Sequence, residues 1–150
     1  MVVDTIGRNG RHNMPGTMIC EIVTPEKMLY SAEASFVAVP ATEGEIGFMY
    51  MRSPVMSTLN SGEVRIKPQD NDTVLRFAIA GGYVEADGHK VVVLANRAVN
   101  IADVDPTLLK ERIISFEQAL TASEADDPER AFKNSELEWY TLLDKLVSRI

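Results

Sequence analysis

Cysteine is almost missing from these 150 residues, and Cys20 stands alone. A single thiol has no internal disulfide partner. Its place in the apolar run Met18-Ile19-Cys20-Glu21-Ile22-Val23 marks a packed strand residue, a usage that suits a reducing compartment. Positive charge is also scarce, with 15 Lys and Arg against 22 Asp and Glu for a net charge of −7. Phosphate backbones are bound by basic surfaces, so no nucleic-acid partner is expected. Long apolar runs are absent as well. Val91 to Ala95 is typical, far short of the roughly 20 residues that span a bilayer, so no direct membrane insertion is expected. The two histidines, His12 and His89, lie far apart, and no Ser-His-Asp or Cys-His arrangement can be assembled locally. Walker, dinucleotide, HExxH and CxxC patterns are missing. We therefore expect no catalytic residue, no metal site, no cofactor and no enzyme activity in this chain.

What is present is a globular composition, 45% apolar and 25% charged, long enough for one core and a small appendage. Residues 1–17 are Gly/Asn/Arg-rich, aperiodic and without an apolar stretch of the secretory type, and they read as a flexible extension. From Ile19 to about Val99, short β-branched segments alternate with turn signals at Glu43-Gly44, Ser61-Gly62, Asp70-Asn71-Asp72 and Asp87-Gly88. Leu75, Phe77 and Ile79 alternate with Arg76, Ala78 and Ala80, which gives that strand one core face. Asp87-Gly88 reads as the hairpin turn between Gly82–Glu85 and Lys90–Leu94. Gly81-Gly82 lacks a following helix, so it reads as a bulge or a close strand approach rather than a phosphate loop. The expectation for residues 18–103 is an all-β sandwich of about ten short strands.

After Asp103 the period changes from two to about 3.6. Asp105-Pro106 reads as an N-cap followed by proline in the first turn, and Leu109, Ile113, Phe116 and Leu120 then share one helix face. A helix over about 106–120 follows. The same start signal at Asp127-Pro128 precedes a stripe of Phe132, Trp139, Leu143, Leu146 and Ile150, predicting a second helix that reaches the C-terminus. The short polar link 121–126 makes the two antiparallel neighbours. Residues 104–150 are thus expected to form an α-helical hairpin.

One stretch is more specific than its strand pattern. Val37-Ala38-Val39-Pro40-Ala41-Thr42-Glu43-Gly44-Glu45-Ile46-Gly47, then Pro54, then Leu59-Asn60-Ser61-Gly62-Glu63-Val64-Arg65-Ile66, resembles the epsilon subunit family of F-type ATP synthases, called delta in mitochondria. Ala80-Gly81-Gly82-Tyr83-Val84-Glu85 followed by Val91-Val92-Val93-Leu94-Ala95 resembles that family's second block. The likeness covers about residues 18–120. It implies a non-catalytic central-stalk rotor subunit on the cytoplasmic face of a bacterial plasma membrane. Its implied partners are the gamma subunit and the c-ring, through which ring rotation is coupled to the catalytic head.

The resemblance implies Glu45 as a ring-facing carboxylate, with Met56 supplying apolar contact nearby. Arg52 stands where the family commonly has histidine, a permanent cation in place of a group that titrates near neutrality. It also implies a regulatory hairpin that inhibits ATP hydrolysis, with Arg130, Lys133, Lys145 and Arg149 available to the acidic alpha/beta head if it extends. Some bacterial members bind ATP through an I/L-D-x-x-R-A pattern. Here Val104-Asp105-Pro106-Thr107-Leu108-Leu109 keeps the aspartate but has leucines at the arginine and alanine positions, so Asp105 reads as an N-cap before a nucleotide ligand. The alternative reading of the whole chain is a free β-sandwich that captures a small ligand under a helical lid.

Overall fold

A computed structural model describes residues 16–51 and 53–149. The 1–17 extension therefore falls almost wholly outside the described residues, as do Arg52 and Ile150. The chain divides into two compact units, one ending at Ala98 and the other beginning at Val99.

The first unit contains β1 (Met18–Val23), β2 (Met28–Ala41), β3 (Gly44–Phe48), β4 (Val55–Pro68), β5 (Leu75–Ala86) and β6 (Lys90–Ala95). A short β7 (Ala98–Asn100) spans the junction. Strict alternation in β1 buries Met18, Cys20 and Ile22 and leaves Ile19, Glu21 and Val23 half-buried, as the twofold period of a strand requires. The strands join side by side in the order β1, β6, β5, β4, β2, and β2 pairs with β1 again. The sheet thus closes on itself. The long inner edge of β2 is shared: Met28–Ala34 pairs with β1 and Val37–Ala41 with β3.

The core is drawn from every strand of this ring and includes Val37, Val39, Val64, Ile66, Phe77, Ile79, Val84, Val91 and Val93. Cys20 lies within it, and burial, with the Glu21 charge adding, pushes its thiol up to about 12. Thr17, adjoining the first strand, is also buried and donates to Glu33 Oε1 at 2.8 Å.

The sandwich is built with seven strands among the described residues in place of about ten. The reason lies in two 14-residue strands, β2 and β4, each of which does the work of two short ones. Their mutual register shifts between Ala34 and Phe36 and between Ala38 and Ala41, and such bulges bend a strand from one layer toward the other. Ser61-Gly62, expected as a turn, lies inside β4 with Gly62 paired to Ile79. Its missing side chain serves packing: a Cβ there would sit 3.0 Å from that of Pro40.

The Gly81-Gly82 pair is a bend within β5, with φ of 76° and 138°. A Cβ on Gly82 would overlap the Leu94 carbonyl oxygen and lie 2.9 Å from Ala95 Cα. The Asp87-Gly88 turn forms as expected. Gly88 has φ 92°, and Asp87 Oδ1 accepts from the His89 and Lys90 N–H groups at 2.9 Å each. Those two bonds hold the Asp87 carboxyl below its ordinary value.

In the second unit a 3-10 turn, Ile101–Asp103, precedes α1 (Pro106–Ala122) and α2 (Arg130–Val147). Asp105 caps α1, its Oδ1 accepting from Thr107 N at 2.9 Å and Leu108 N at 3.4 Å. The antiparallel pairing shows in Phe116 stacked on Tyr140 at 5.8 Å and in Lys110 against Asp144 at 3.7 Å.

Two expectations for α2 are corrected. Asp127-Pro128 is not its cap: the helix starts at Arg130, and the N-cap position, Glu129, makes no side-chain cap bond. Asp127 instead organises the turn before it. At the other end α2 stops at Val147. Of its apolar stripe, Trp139, Leu143 and Leu146 are buried, whereas Phe132 is 61% exposed. Continuing the pairing frame set by Lys110 and Phe116 puts Phe132 opposite the point where α1 ends at Ala122.

Candidate functional site

The motif residues of the first unit fall on two structures. The first is the outward face of β3, β2, β4 and β5. Glu45 on the edge strand β3 is gripped by Arg65 of β4 through two contacts, Nη1 to Oε2 at 2.9 Å and Nη2 to Oε1 at 3.0 Å. Strand β2 lies between them, and the two side chains meet across its outer surface, where Pro40 is the residue paired with Glu45. Arg65 pairs across with Ala38, and Ala38 with Gly47. Arg65 also approaches Glu63 at 3.8 Å, and Glu63 accepts from Arg76 Nε at 2.6 Å. The result is an alternating row, Glu45, Arg65, Glu63, Arg76, crossing the sheet.

The second structure is the loop between β3 and β4. Met51 adopts φ 65°, and its N–H donates to the Gly88 carbonyl at 2.7 Å. The Tyr50 ring meets His89 edge-on at 5.5 Å. This ties the loop containing Arg52, itself outside the described residues, to the β5–β6 turn. Met51 and Met56 are each 64% exposed. Met56 borders an open hollow with Val55, Glu85, Asp87, Lys90 and Val92.

In the second unit the four cations have unequal surroundings. Arg130 Nη1 donates to the carbonyls of Leu120 at 3.5 Å and Ser123 at 3.3 Å, the end of α1 where unsatisfied carbonyls collect. Lys133 contacts Asp127 Oδ2 at 2.9 Å. The same oxygen accepts from Ser123 Oγ at 2.8 Å, and Oδ1 accepts from Glu129 N at 2.9 Å. Led by the Glu129 N–H and then by Lys133 and Ser123, these bonds hold the Asp127 carboxyl well below the usual carboxylate range. Lys145 and Arg149 are exposed, and Lys145 lies in the last turn of α2, where a cation complements the helix dipole.

Asp105 spends its carboxylate on the α1 cap. A small hollow beside it is bordered by Val104, Leu108, Leu109, Arg112, Tyr140 and Leu143. Arg65, Arg112 and Tyr140 were not singled out from sequence. The signal for Arg65 was at hand in its motif strand, but its pairing depends on the register of three strands. Among the described residues no cluster of three or more His, Cys, Asp or Glu could hold a metal. No described helix is long and apolar enough to cross a membrane.

Residues 17–101 match the family described as ATP synthase, Delta/Epsilon chain, beta-sandwich domain. The chain is 37% identical over 113 residues to an ATP synthase epsilon chain of Thioalkalivibrio sulfidiphilus, covering 75% of this chain and 80% of that one. It is 39% identical over 89 residues to the epsilon chain of Halorhodospira halophila, covering 59% of this chain and 63%, just under two thirds, of the relative. A chain in the Euglena gracilis mitochondrial ATP synthase structure, described as OSCP/F1/c-ring, shares the fold with a TM-score of 0.71 at 15% identity, covering 97% of this chain and 91% of that one. A chain from the Tetrahymena thermophila mitochondrial ATP synthase, described as central stalk/c-ring, aligns with a TM-score of 0.51 at 13% identity, covering 87% and 96%. With the sandwich, both motif blocks and the helical pair in sequence, this chain belongs to the delta/epsilon chain family of ATP synthase, whose members are non-catalytic subunits of that complex.

Proposed function

We propose that the chain is a central-stalk rotor subunit that couples c-ring rotation to the catalytic head through gamma, at the cytoplasmic face of a bacterial plasma membrane. The match of residues 17–101 to the delta/epsilon sandwich carries this reading. The described F1/c-ring and central stalk/c-ring assemblies of the two structural relatives support it. Glu45, Arg52 and Met56 are then the residues that meet the polar loops of the ring. A partly desolvated carboxylate at such a rim sets register more than affinity. Purification of the tagged chain from membranes is expected to bring gamma and c-ring with it, and recovery without either would overturn the proposal.

The finer part of the reading is that the helical hairpin inhibits ATP hydrolysis when it reaches the alpha/beta head. Lys145 and Arg149, exposed at one end of α2, are the cations best disposed for an acidic surface. Arg130 and Lys133 are occupied in building the turn. Deleting residues from Asp105 onward is expected to raise ATP hydrolysis by the reconstituted complex. Unchanged hydrolysis would reduce the hairpin to a structural part.

A further inference from the structure

We infer that Arg65 is the positioning residue of the Glu45 contact, so that a partner meets an oriented, charge-compensated acid rather than a bare anion. This rests on the reading of Glu45 as a partner-facing group. An exposed ion pair ordinarily contributes little, because two long side chains must be ordered against water and salt. Three observations set this one apart. The grip is bidentate, with contacts of 2.9 and 3.0 Å, and matches the planar fork of a guanidinium to a carboxylate. The row is also continuous, since Arg65 is backed by Glu63 and Glu63 is held by Arg76.

The third observation is a gradient of exposure along the row. The side chains of Glu63 and Arg76 are 11% and 19% exposed, whereas those of Arg65 and Glu45 are 39% and 50% exposed. The inner pair is therefore an anchor and the outer pair is offered to solvent. An ionised carboxylate has about four acceptor positions, and a bidentate Arg uses one on each oxygen. The remaining positions are fixed in direction by Arg65. They suit a hydrogen-bond donor on the partner, an amide or a guanidinium, and the resulting contact gains little from long-range attraction because the pair is neutral.

The test is titration of the full-length chain and its variants into ATP synthase stripped of this subunit. Glu45→Gln and Arg65→Gln are each expected to weaken association about tenfold. The double variant is expected to be no weaker than either single one, and Arg65→Lys, which keeps the charge without the fork, to fall between wild type and Arg65→Gln. Wild-type affinity in Glu45→Gln would remove the underlying contact and the inference with it. Wild-type affinity in Arg65→Gln beside an impaired Glu45→Gln would leave the contact standing and overturn the role of Arg65. Additive losses in the double variant would also overturn it, by making the two residues separate contacts. Should Arg65→Gln fail to fold, Arg65→Lys decides alone: affinity equal to wild type overturns positioning, and a loss supports it.

Discussion

Gly82 has neither room for a side chain nor a backbone that tolerates one. Its φ of 138° and the overlap with the Leu94 carbonyl act together, so Gly82→Ala must either break the β5–β6 ladder or move it. We expect a loss of roughly 3 kcal/mol or more in urea unfolding, since steric overlap adds to backbone strain. The role of this glycine as a bend or close approach was legible in sequence, because a Gly-Gly pair inside a strand pattern has few other uses. The Glu45–Arg65 pair was not. Strand periodicity states which face a residue occupies, but this contact passes over an intervening strand and depends on the register of β3 on β2 and of β2 on β4.

At the scale of elements, the link between α1 and α2 is organised by Asp127 more than by either helix end. Its folded-state carboxyl is depressed, and the sign follows. The contribution is complete above the unfolded value of about 3.9 and is lost as pH falls toward the folded one. Thermal stability of the hairpin, followed by Trp139 fluorescence, should therefore not vary through Asp127 above about pH 5 and should drop below about pH 4. Asp127→Asn should remove that part of the acid dependence. Equal acid profiles for the two proteins would contradict this role.

The same residue explains a misread boundary. Asp-Pro signals a helix start at Asp105 and a turn at Asp127, because the local chemistry of an aspartate accepting from N–H groups two residues on is common to both. Only the following chain direction separates them. Helix existence and facing were readable from the 3.6 period. The exposure of Phe132 was not, since it depends on where the neighbouring helix runs out.

For the molecule as a whole, the core of the first unit is drawn entirely from residues 18–98, which makes that unit self-sufficient in apolar packing. A chain ending at Asn100, which keeps β7 whole, is expected to unfold cooperatively and to keep Cys20 inaccessible to thiol reagents in buffer. The buried thiol, pushed up to about 12, should react at the rate of a free cysteine only in denaturant. Rapid reaction in buffer would mean that the first unit needs the second to fold.

The closed sheet has a mechanical consequence. Where β1 bonds to both β2 and β6, a shearing load on any of the five strands of the ring, β1, β6, β5, β4 and β2, is passed around the full circumference and returns to its origin. A drawn tube resists twisting in this way, and the same wall slit lengthwise does not. If the chain is seated, as proposed, between a turning ring and a shaft, the hydrogen-bond ladder itself would carry torque, and the side chains inside would need only to keep the wall from buckling.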